Sequence, residues 1–207
     1  MYTPAHFKEE RLPVLQAAIQ SSGLAILVSS ASHGLEVSHL PLFLEPTEGP
    51  FGTLYGHMAR ANPHANLRNA DTDSLAIFQG PHAYVSPSWY ETKRQTDKVV
   101  PTWNYIAVHA HGRLELADDP VLARSVVEKL TAIHEAQREH PWAVSDAPND
   151  YLQTMLKAIL PFRLPISRLE GSWKLSQNKA AEDRAGVIQG LNAEAQELAA
   201  AMAKAMP

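Results

Sequence analysis

The order in which strand-like and helix-like patterns follow one another is the tightest constraint on this chain. Four runs of β character, at residues 24–28, 35–45, 52–58 and 74–79, come in succession, and the amphipathic helices that separate later strands begin only after residue 117. A βαβαβ sheet needs a helix between successive strands, so this pattern does not read as one. Leu24-Ala25-Ile26-Leu27-Val28 reads as a buried strand, and Ala31-Ser32-His33-Gly34 turns it into the second as a hairpin. The polar segment 61–73 has room for one or two helical turns after Pro63. A fifth, long strand is expected over 98–116, where Ile106, Val108, Ala110 and Leu114 alternate with polar neighbours. A sixth over 162–175 turns Phe162, Leu164 and Ile166 inward, and Pro165 places it at a sheet edge. Six strands of this length can close on themselves as a small barrel.

Helices frame these strands. Leu12, Leu15, Ala18 and Ile19 give one short amphipathic helix over 9–22, with Pro13 in its first turn and Gly23 as its stop. Asp118-Asp119-Pro120 starts a second, whose stripe is Leu122, Val126, Leu130 and Ile133. A third, over 150–160, places Leu152, Met155, Leu156 and Ile159 on one side. Residues 190–206 form an Ala-rich helix whose large apolar residues are Leu191, Leu198 and Met202; so thin a stripe is expected to dock loosely or on a partner.

At 207 residues the chain can bury a sizeable core without staples, and it has no cysteine, which excludes disulfides, thiolate metal sites and cysteine nucleophiles. No charge-free apolar run reaches membrane-spanning length and the first residues carry no leader pattern, so a soluble, cytoplasmic protein is expected. A net charge of −4 gives no global attraction to phosphate backbones; Lys93, Arg94 and Lys98 are the one local basic cluster. No Gly-rich phosphate loop and no Gly-x-Ser-x-Gly elbow is present.

Five of the ten Trp and Tyr residues lie between Tyr84 and Tyr105, in Gly80-Pro81-His82-Ala83-Tyr84-Val85-Ser86-Pro87-Ser88-Trp89-Tyr90 and Pro101-Thr102-Trp103-Asn104-Tyr105. Rings and prolines with short polar side chains suit a flat heteroaromatic ligand; the same residues also suit a Pro-bounded strand edge with aromatic packing. Gly56-His57-Met58-Ala59-Arg60-Ala61-Asn62-Pro63, with Ser38-His39-Leu40-Pro41 nearby in the pattern, offers a guanidinium fork beside free backbone N–H groups, suited to a phosphate or equally to a helix cap with a surface Arg. In Glu170-Gly171-Ser172-Trp173-Lys174-Leu175-Ser176-Gln177-Asn178-Lys179, the residues Trp173, Lys174, Ser176, Gln177 and Asn178 combine a ring, a cation and amides that can address an imide-like edge, or the segment is a strand end running into a polar turn. A rival metal site is His109-Ala110-His111 with Glu115, since His residues two apart share a strand face. That spacing resembles part of the first cupin motif, but Trp103 and Leu122 stand where its glycines belong, and packing is the commoner role for such a pair.

Taken in order, Met1-Tyr2-Thr3-Pro4, His39-Leu40-Pro41, Gly56-His57 through Asn62-Pro63, Phe78-Gln79-Gly80-Pro81-His82-Ala83-Tyr84, Pro87-Ser88-Trp89-Tyr90, Val100-Pro101-Thr102-Trp103-Asn104-Tyr105 and Trp173 to Asn178 resemble the PaiB-like family of FMN-binding negative transcriptional regulators. The resemblance covers about residues 1–190. It implies an α+β, mainly β fold: a six-stranded split β-barrel of the FMN-binding, pyridoxamine-phosphate-oxidase-like kind with peripheral helices. Residues 1–190 would form the FMN-binding domain, with helices inserted at about 118–160, and 190–207 a C-terminal helix. It further implies a homodimer with FMN in clefts between subunits. The block His57, Met58, Arg60 and Asn62, with His39, would hold the phosphate side, while Thr102, Trp103, Asn104, Lys174, Ser176, Gln177 and Asn178 would approach the ring or phosphate from one or the other subunit. Leu160-Pro161 departs from the pattern where a small residue is expected before the last strand. Direct DNA binding is implied by the family description alone, because no helix-turn-helix or Arg/Lys-rich recognition helix is found. The competing class is a small flavin-dependent oxidoreductase or flavin reductase; a module that stores or senses FMN is a third.

Overall fold

The computed structural model describes residues 1–67 and 73–205. Eight strands form: β1 (Lys8–Glu9), β2 (Leu24–Ala31), β3 (Gly34–Glu45), β4 (Thr53–Ala59), β5 (Asp73–Val85), β6 (Thr102–Arg113), β7 (Glu115–Leu116) and β8 (Ile159–Lys174). The helices are α1 (Leu12–Ser22), α2 (Glu91–Thr96), α3 (Pro120–Glu135), α4 (Asn149–Lys157), α5 (Ala181–Glu194) and α6 (Gln196–Lys204). The strand order β8-β4-β3-β2-β5-β6, with β6 pairing back to β8, closes a ring of six; β1 and β7 add to β8. This is the six-stranded split β-barrel that the sequence pattern and the resemblance lead one to expect. The segment expected at 61–73 contains a 3-10 turn at Pro63–Leu67, and residues 68–72 lie outside the described residues. No described helix is long and apolar enough to cross a membrane.

The chain divides into two compact units. The first is Met1–Arg11, Gln79–Val108 and Glu170–Pro207; the second is Leu12–Phe78 and His109–Leu169. Strands β5, β6 and β8 each give one half to each unit. In β5 this is visible as a change of buried face: Ser74, Ala76 and Phe78 are buried in its first half, Val85 in its second.

In the second unit the inward residues alternate along each strand, Ala25 and Leu27 on β2, Leu40 and Leu42 on β3, Leu54 and Met58 on β4, and Leu160, Phe162, Leu164 and Ile166 on β8. Gly56 is a packing glycine. It pairs with Leu42 on one side and Phe162 on the other, and a Cβ there would run into both side chains. Asp119 caps α3 by accepting the N–H groups of Val121 and Leu122, 2.8 and 3.2 Å away, ahead of Pro120 at the first helical position. Helix α3 lays Val126 and Leu130 on Phe43, and Ala123 packs with Val144, Leu152 and Leu156. Ile133 and Met155, expected on the apolar stripes, are exposed instead, and Ile159 belongs to β8.

Pro165 does not mark an edge. β8 pairs with β4 through Thr53↔Pro165 and with β6 and β7 on its other side. Ile166 N–H donates to Gly52 O at 3.0 Å, so by the alternation of antiparallel bonding the donor that Pro165 lacks belongs to the side away from β4, where Gly112 makes room at the Pro165 carbonyl. Leu160 and Pro161 continue β8 in register with Met58 and His57.

In the first unit, Val85, Tyr90, Ile106, Leu175, Val187, Leu191, Leu198, Ala199 and Met202 form one buried cluster. The Ala-rich helix expected to dock loosely is therefore two helices, broken at Ala195, and its three large apolar residues are all buried in their own unit. Small residues bring the helices close, so a thin stripe suffices. Gly186 and Gly190 of α5 face Trp89: a Cβ on Gly186 would strike the Trp89 carbonyl, and one on Gly190 its indole.

Candidate functional site

The aromatic run divides between two jobs. Tyr90 is core and Trp89 packs on α5, whereas Tyr84 and Trp103 are each 48% exposed on β5 and β6. His82 stacks on Trp103 with ring centroids 5.9 Å apart, and Tyr84 meets the same indole edge-on at 6.3 Å.

Beside this exposed indole stands Lys174, at the end of β8. Its ammonium donates to Thr102 Oγ1 at 2.6 Å and to the Trp103 carbonyl, and it lies 5.9 Å from the centre of the Phe7 ring. Burial, and secondarily the charge of Lys179, pull its pKa below the usual lysine value. A lysine has three donors, so one N–H remains for a ligand. Asn104 is fully buried: its amide donates to Ser176 Oγ at 2.9 Å and to Met202 Sδ at 3.4 Å. Ser176 holds a left-handed backbone (φ 64°) to make that contact. Gln177 spends its side chain locally, accepting from Leu175 N–H at 2.8 Å and donating to Trp173 O at 2.5 Å, while Asn178 is exposed. The first unit thus brings together Thr102, Trp103 and Lys174, and separately Asn104 and Ser176; Gln177 is a turn residue.

In the second unit, His57 is partly exposed on β4, and burial lowers its pKa from the ordinary histidine value. Met58, its neighbour, faces the core. His39 stands on the outer face of β3, opposite Ile26. The expectation of free backbone N–H groups after β4 is not met. Arg60 N–H donates to Ala158 O and Asn62 N–H to Ala59 O, both at 2.9 Å. The Arg60 guanidinium donates to Lys157 O at 2.7 Å and to Asp118 Oδ1 at 2.5 Å, and Asp118 raises its pKa. Asn62 is a turn cap: its Oδ1 accepts His64 N–H at 3.0 Å and its amide donates to Ser38 Oγ at 2.9 Å. Ser38 Oγ lies 2.8 Å from Nδ1 of the fully buried His64. Ser38 Oγ also lies 3.3 Å from Asn62 Oδ1, and Nε2 of His64 is buried with no hydrogen-bond partner among the described residues.

The rival metal set keeps its two histidines together but not Glu115. His109 and His111 share a face of β6 with ring centroids 6.4 Å apart, but Glu115 on β7 accepts Arg163 Nε at 2.6 Å, and His111 Nδ1 lies 3.1 Å from Arg168 Nη2. The candidate blocks included Ser38 and Lys179 without giving either a role, His64 lay outside them, and Asp118 was read only as part of a helix start. Only the buried His64, one residue after Asn62-Pro63, left a local signal.

Residues 1–168 match the family described as "Putative FMN-binding domain". The chain is 34% identical to an uncharacterized protein of Aspergillus fumigatus, covering 99% of this chain and 95% of that one. It is 32% identical to the protease synthase and sporulation protein PAI 2 of Bacillus subtilis, covering 100% and 96%. Among solved structures, the FAD and heme binding protein of Mycobacterium smegmatis superposes with a TM-score of 0.60 at 14% identity over 86% of this chain and 78% of that one. The flavocytochrome Anf3 of Azotobacter vinelandii gives 0.57 at 15% identity over 86% and 75%. At those identities the likeness is one of fold. With the fold, the ordered motifs and the matches over nearly the whole length in agreement, this chain belongs to the PaiB-like family of FMN-binding split-barrel proteins.

Proposed function

We propose that the protein works as a homodimer in which FMN is addressed by Lys174, Thr102 and Trp103 of the first unit and by the His57–Asn62 block, with His39, of the second, each set contributed by one or the other subunit. The observation that carries this reading is the unspent N–H of Lys174, held beside an exposed indole. A fixed cation suits either the carbonyl edge of the isoalloxazine or a phosphate oxygen, and Trp103 offers stacking surface. FMN supplies one- and two-electron redox chemistry when bound; the chain supplies orientation and charge. Asn104 and Ser176 hold the backbone on which Thr102, Trp103 and Lys174 sit. Asn178 is exposed and available to a ligand, whereas Gln177 would support the turn. Arg60 would have to exchange Asp118 for the phosphate.

The dimer is supported by the outer face of the second unit's sheet. Leu24, Ile26 and Val28 on β2, Leu35, Val37 and Pro41 on β3, and Leu75 and Ile77 on β5 lie in register on one face. Leu35, Leu24 and Val37 are 68, 58 and 53% exposed. A sheet apolar on both faces needs a cover, and a second copy supplies it with His39 at its centre.

A PaiB-type regulator is the first reading of what the bound flavin serves. The second is a flavin-dependent oxidoreductase, favoured by the cation at Lys174, since charge beside the flavin tunes its reduction. Titrating FMN into flavin-free wild type and Lys174→Met, read by flavin fluorescence, tests the site. The expected result is about one FMN per chain in the wild type and roughly tenfold or greater weakening in the variant. Undiminished binding by Lys174→Met would refute the assignment. Salt-dependent binding to a promoter fragment selects the regulator, and bleaching of the flavin by NAD(P)H selects the oxidoreductase.

A further inference from the structure

Between the end of α1, the second half of β3 and the C-terminal half of α3, the second unit holds an open pocket of about 350 Å³. Every residue that lines it belongs to that unit, and none is among those assigned to the flavin. The volume falls within the range of small-molecule sites. Leu42, Phe43 and Leu44, all buried, give it an apolar wall, and Ile133 gives another. Ile133 continues the α3 stripe whose earlier members, Val126 and Leu130, are buried, yet it is 44% exposed, because its side chain borders the pocket instead of the core.

The polar part of the lining is an ion pair. Lys129, one helical turn before Ile133 and so on the same side of α3, places its Nζ 3.3 Å from Glu45 Oε1 at the end of β3. Lys129 is exposed and Glu45 partly so, and a pair in that setting adds little to stability. Neither side chain has another partner among the described residues. An ammonium has three donors and a carboxylate several acceptor sites, so the pair leaves a donor and an acceptor side by side at the pocket. The zero sum of their charges selects the ligand. A carboxylate is drawn to Lys129 and repelled by Glu45, and an ammonium meets the reverse. A carboxamide carries an acceptor oxygen and a donor NH2 on one carbon, and satisfies both.

We propose that this pocket binds a small, uncharged molecule in which a carboxamide, or a lactam or urea of the same donor–acceptor pattern, is attached to an apolar body. The amide bridges Lys129 and Glu45, and the body lies against Ile133 and Phe43.

Benzamide, benzoate and benzylamine share one ring and differ in charge, so they separate the amide from its charged counterparts. Each is titrated into the full chain at pH 8, and binding is read from the amide NMR shifts of residues 42–45 and 129–133. Benzamide is expected to bind the wild type with a Kd of about 1–10 mM, the range for a fragment of its size, and the two charged probes about fivefold more weakly or worse. Glu45→Gln removes the repulsion and leaves Lys129 unpaired, so benzoate should overtake benzamide; in Lys129→Met benzylamine should do so. Both side chains reach solvent, and a reversal of order between probes is not an effect that loss of structure produces. Ile133→Asp should weaken benzamide by about fivefold or more through the apolar wall. The proposal is overturned if about 20 mM benzamide moves none of these resonances. It is equally overturned if the wild type prefers a charged probe, or if neither Glu45→Gln nor Lys129→Met changes the order. The FMN titration above touches none of these residues, so the inference stands or falls apart from the proposed function.

Discussion

Replacing Gly190 by Ala is expected to destabilise the protein although it improves a helix. In the interior of α5 the substitution gains about 1 kcal/mol of intrinsic helix propensity. Against this, the new methyl lies 2.7 Å from Trp89 Nε1 and closer still to two other indole atoms. Overpacking of this kind costs about 1–3 kcal/mol, and the indole is held by the 3-10 turn Pro87–Trp89 and cannot simply swing away. A net loss of about 1 kcal/mol is expected, or roughly 2–4 °C in Tm for a chain of this length. The decisive measurement is a double-mutant cycle by urea denaturation. In a Trp89→Ala background the obstruction is gone, so Gly190→Ala should become stabilising by up to about 1 kcal/mol, a coupling of about 2 kcal/mol. Gly186→Ala is the internal control, because the atom it meets is the Trp89 backbone carbonyl, which Trp89→Ala leaves in place. A rise in Tm for Gly190→Ala in the wild type, or the same loss with and without the indole, would refute the packing argument.

Other perturbations reach the site and the interface. Arg60→Ala should weaken FMN by about ten- to a hundred-fold while leaving riboflavin nearly unchanged, and Asp118→Asn, which releases the guanidinium, should tighten FMN; equal effects on both ligands would return Arg60 to the fold. Val37→Glu with Leu35→Glu should give a monomer in light scattering at low micromolar concentration, without touching buried residues, and a persistent dimer would move the interface elsewhere. His57 and His64 are both held below the ordinary histidine pKa, in each case first by burial. Between their folded values and about 6.5 the unfolded chain binds more protons, so stability is complete above about pH 6.5 and falls as the solution is acidified. The urea midpoint should therefore drop from pH 7 to pH 5, and less steeply for His57→Gln/His64→Gln; a midpoint that is constant or rises would contradict the assignment.

What the sequence made legible was periodic. Phe162, Leu164 and Ile166 alternate in the chain and are all buried in the barrel, and Asp119-Pro120 announces a helix start by capping chemistry that needs only its neighbours. What it concealed depends on partners far along the chain. Arg60 and Asp118 are 58 positions apart and Lys174 and Thr102 are 72, so no local pattern tells a free cation from a paired one. Pro165 was misread because the edge rule assumes that every donor in a central strand is needed, and here the missing one falls beside a glycine. The Ala-rich C-terminus was misread because a stripe of large residues measures how far a helix reaches, whereas small residues decide how closely it is approached.

The first unit is stitched from stretches that leave the ribosome at very different times. Val85, Tyr90 and Ile106 are synthesised long before Leu175, Val187, Leu191, Leu198 and Met202, the partners that cover them. At ~5–20 residues per second the nascent chain carries half an apolar core for several seconds, while the second unit's stretch His109–Leu169 is being made. That interval is the window in which a holding chaperone, or the same half-core on a neighbouring polysome chain, would capture it. Stopping translation at residue 168, where the family match ends, would make the exposure permanent.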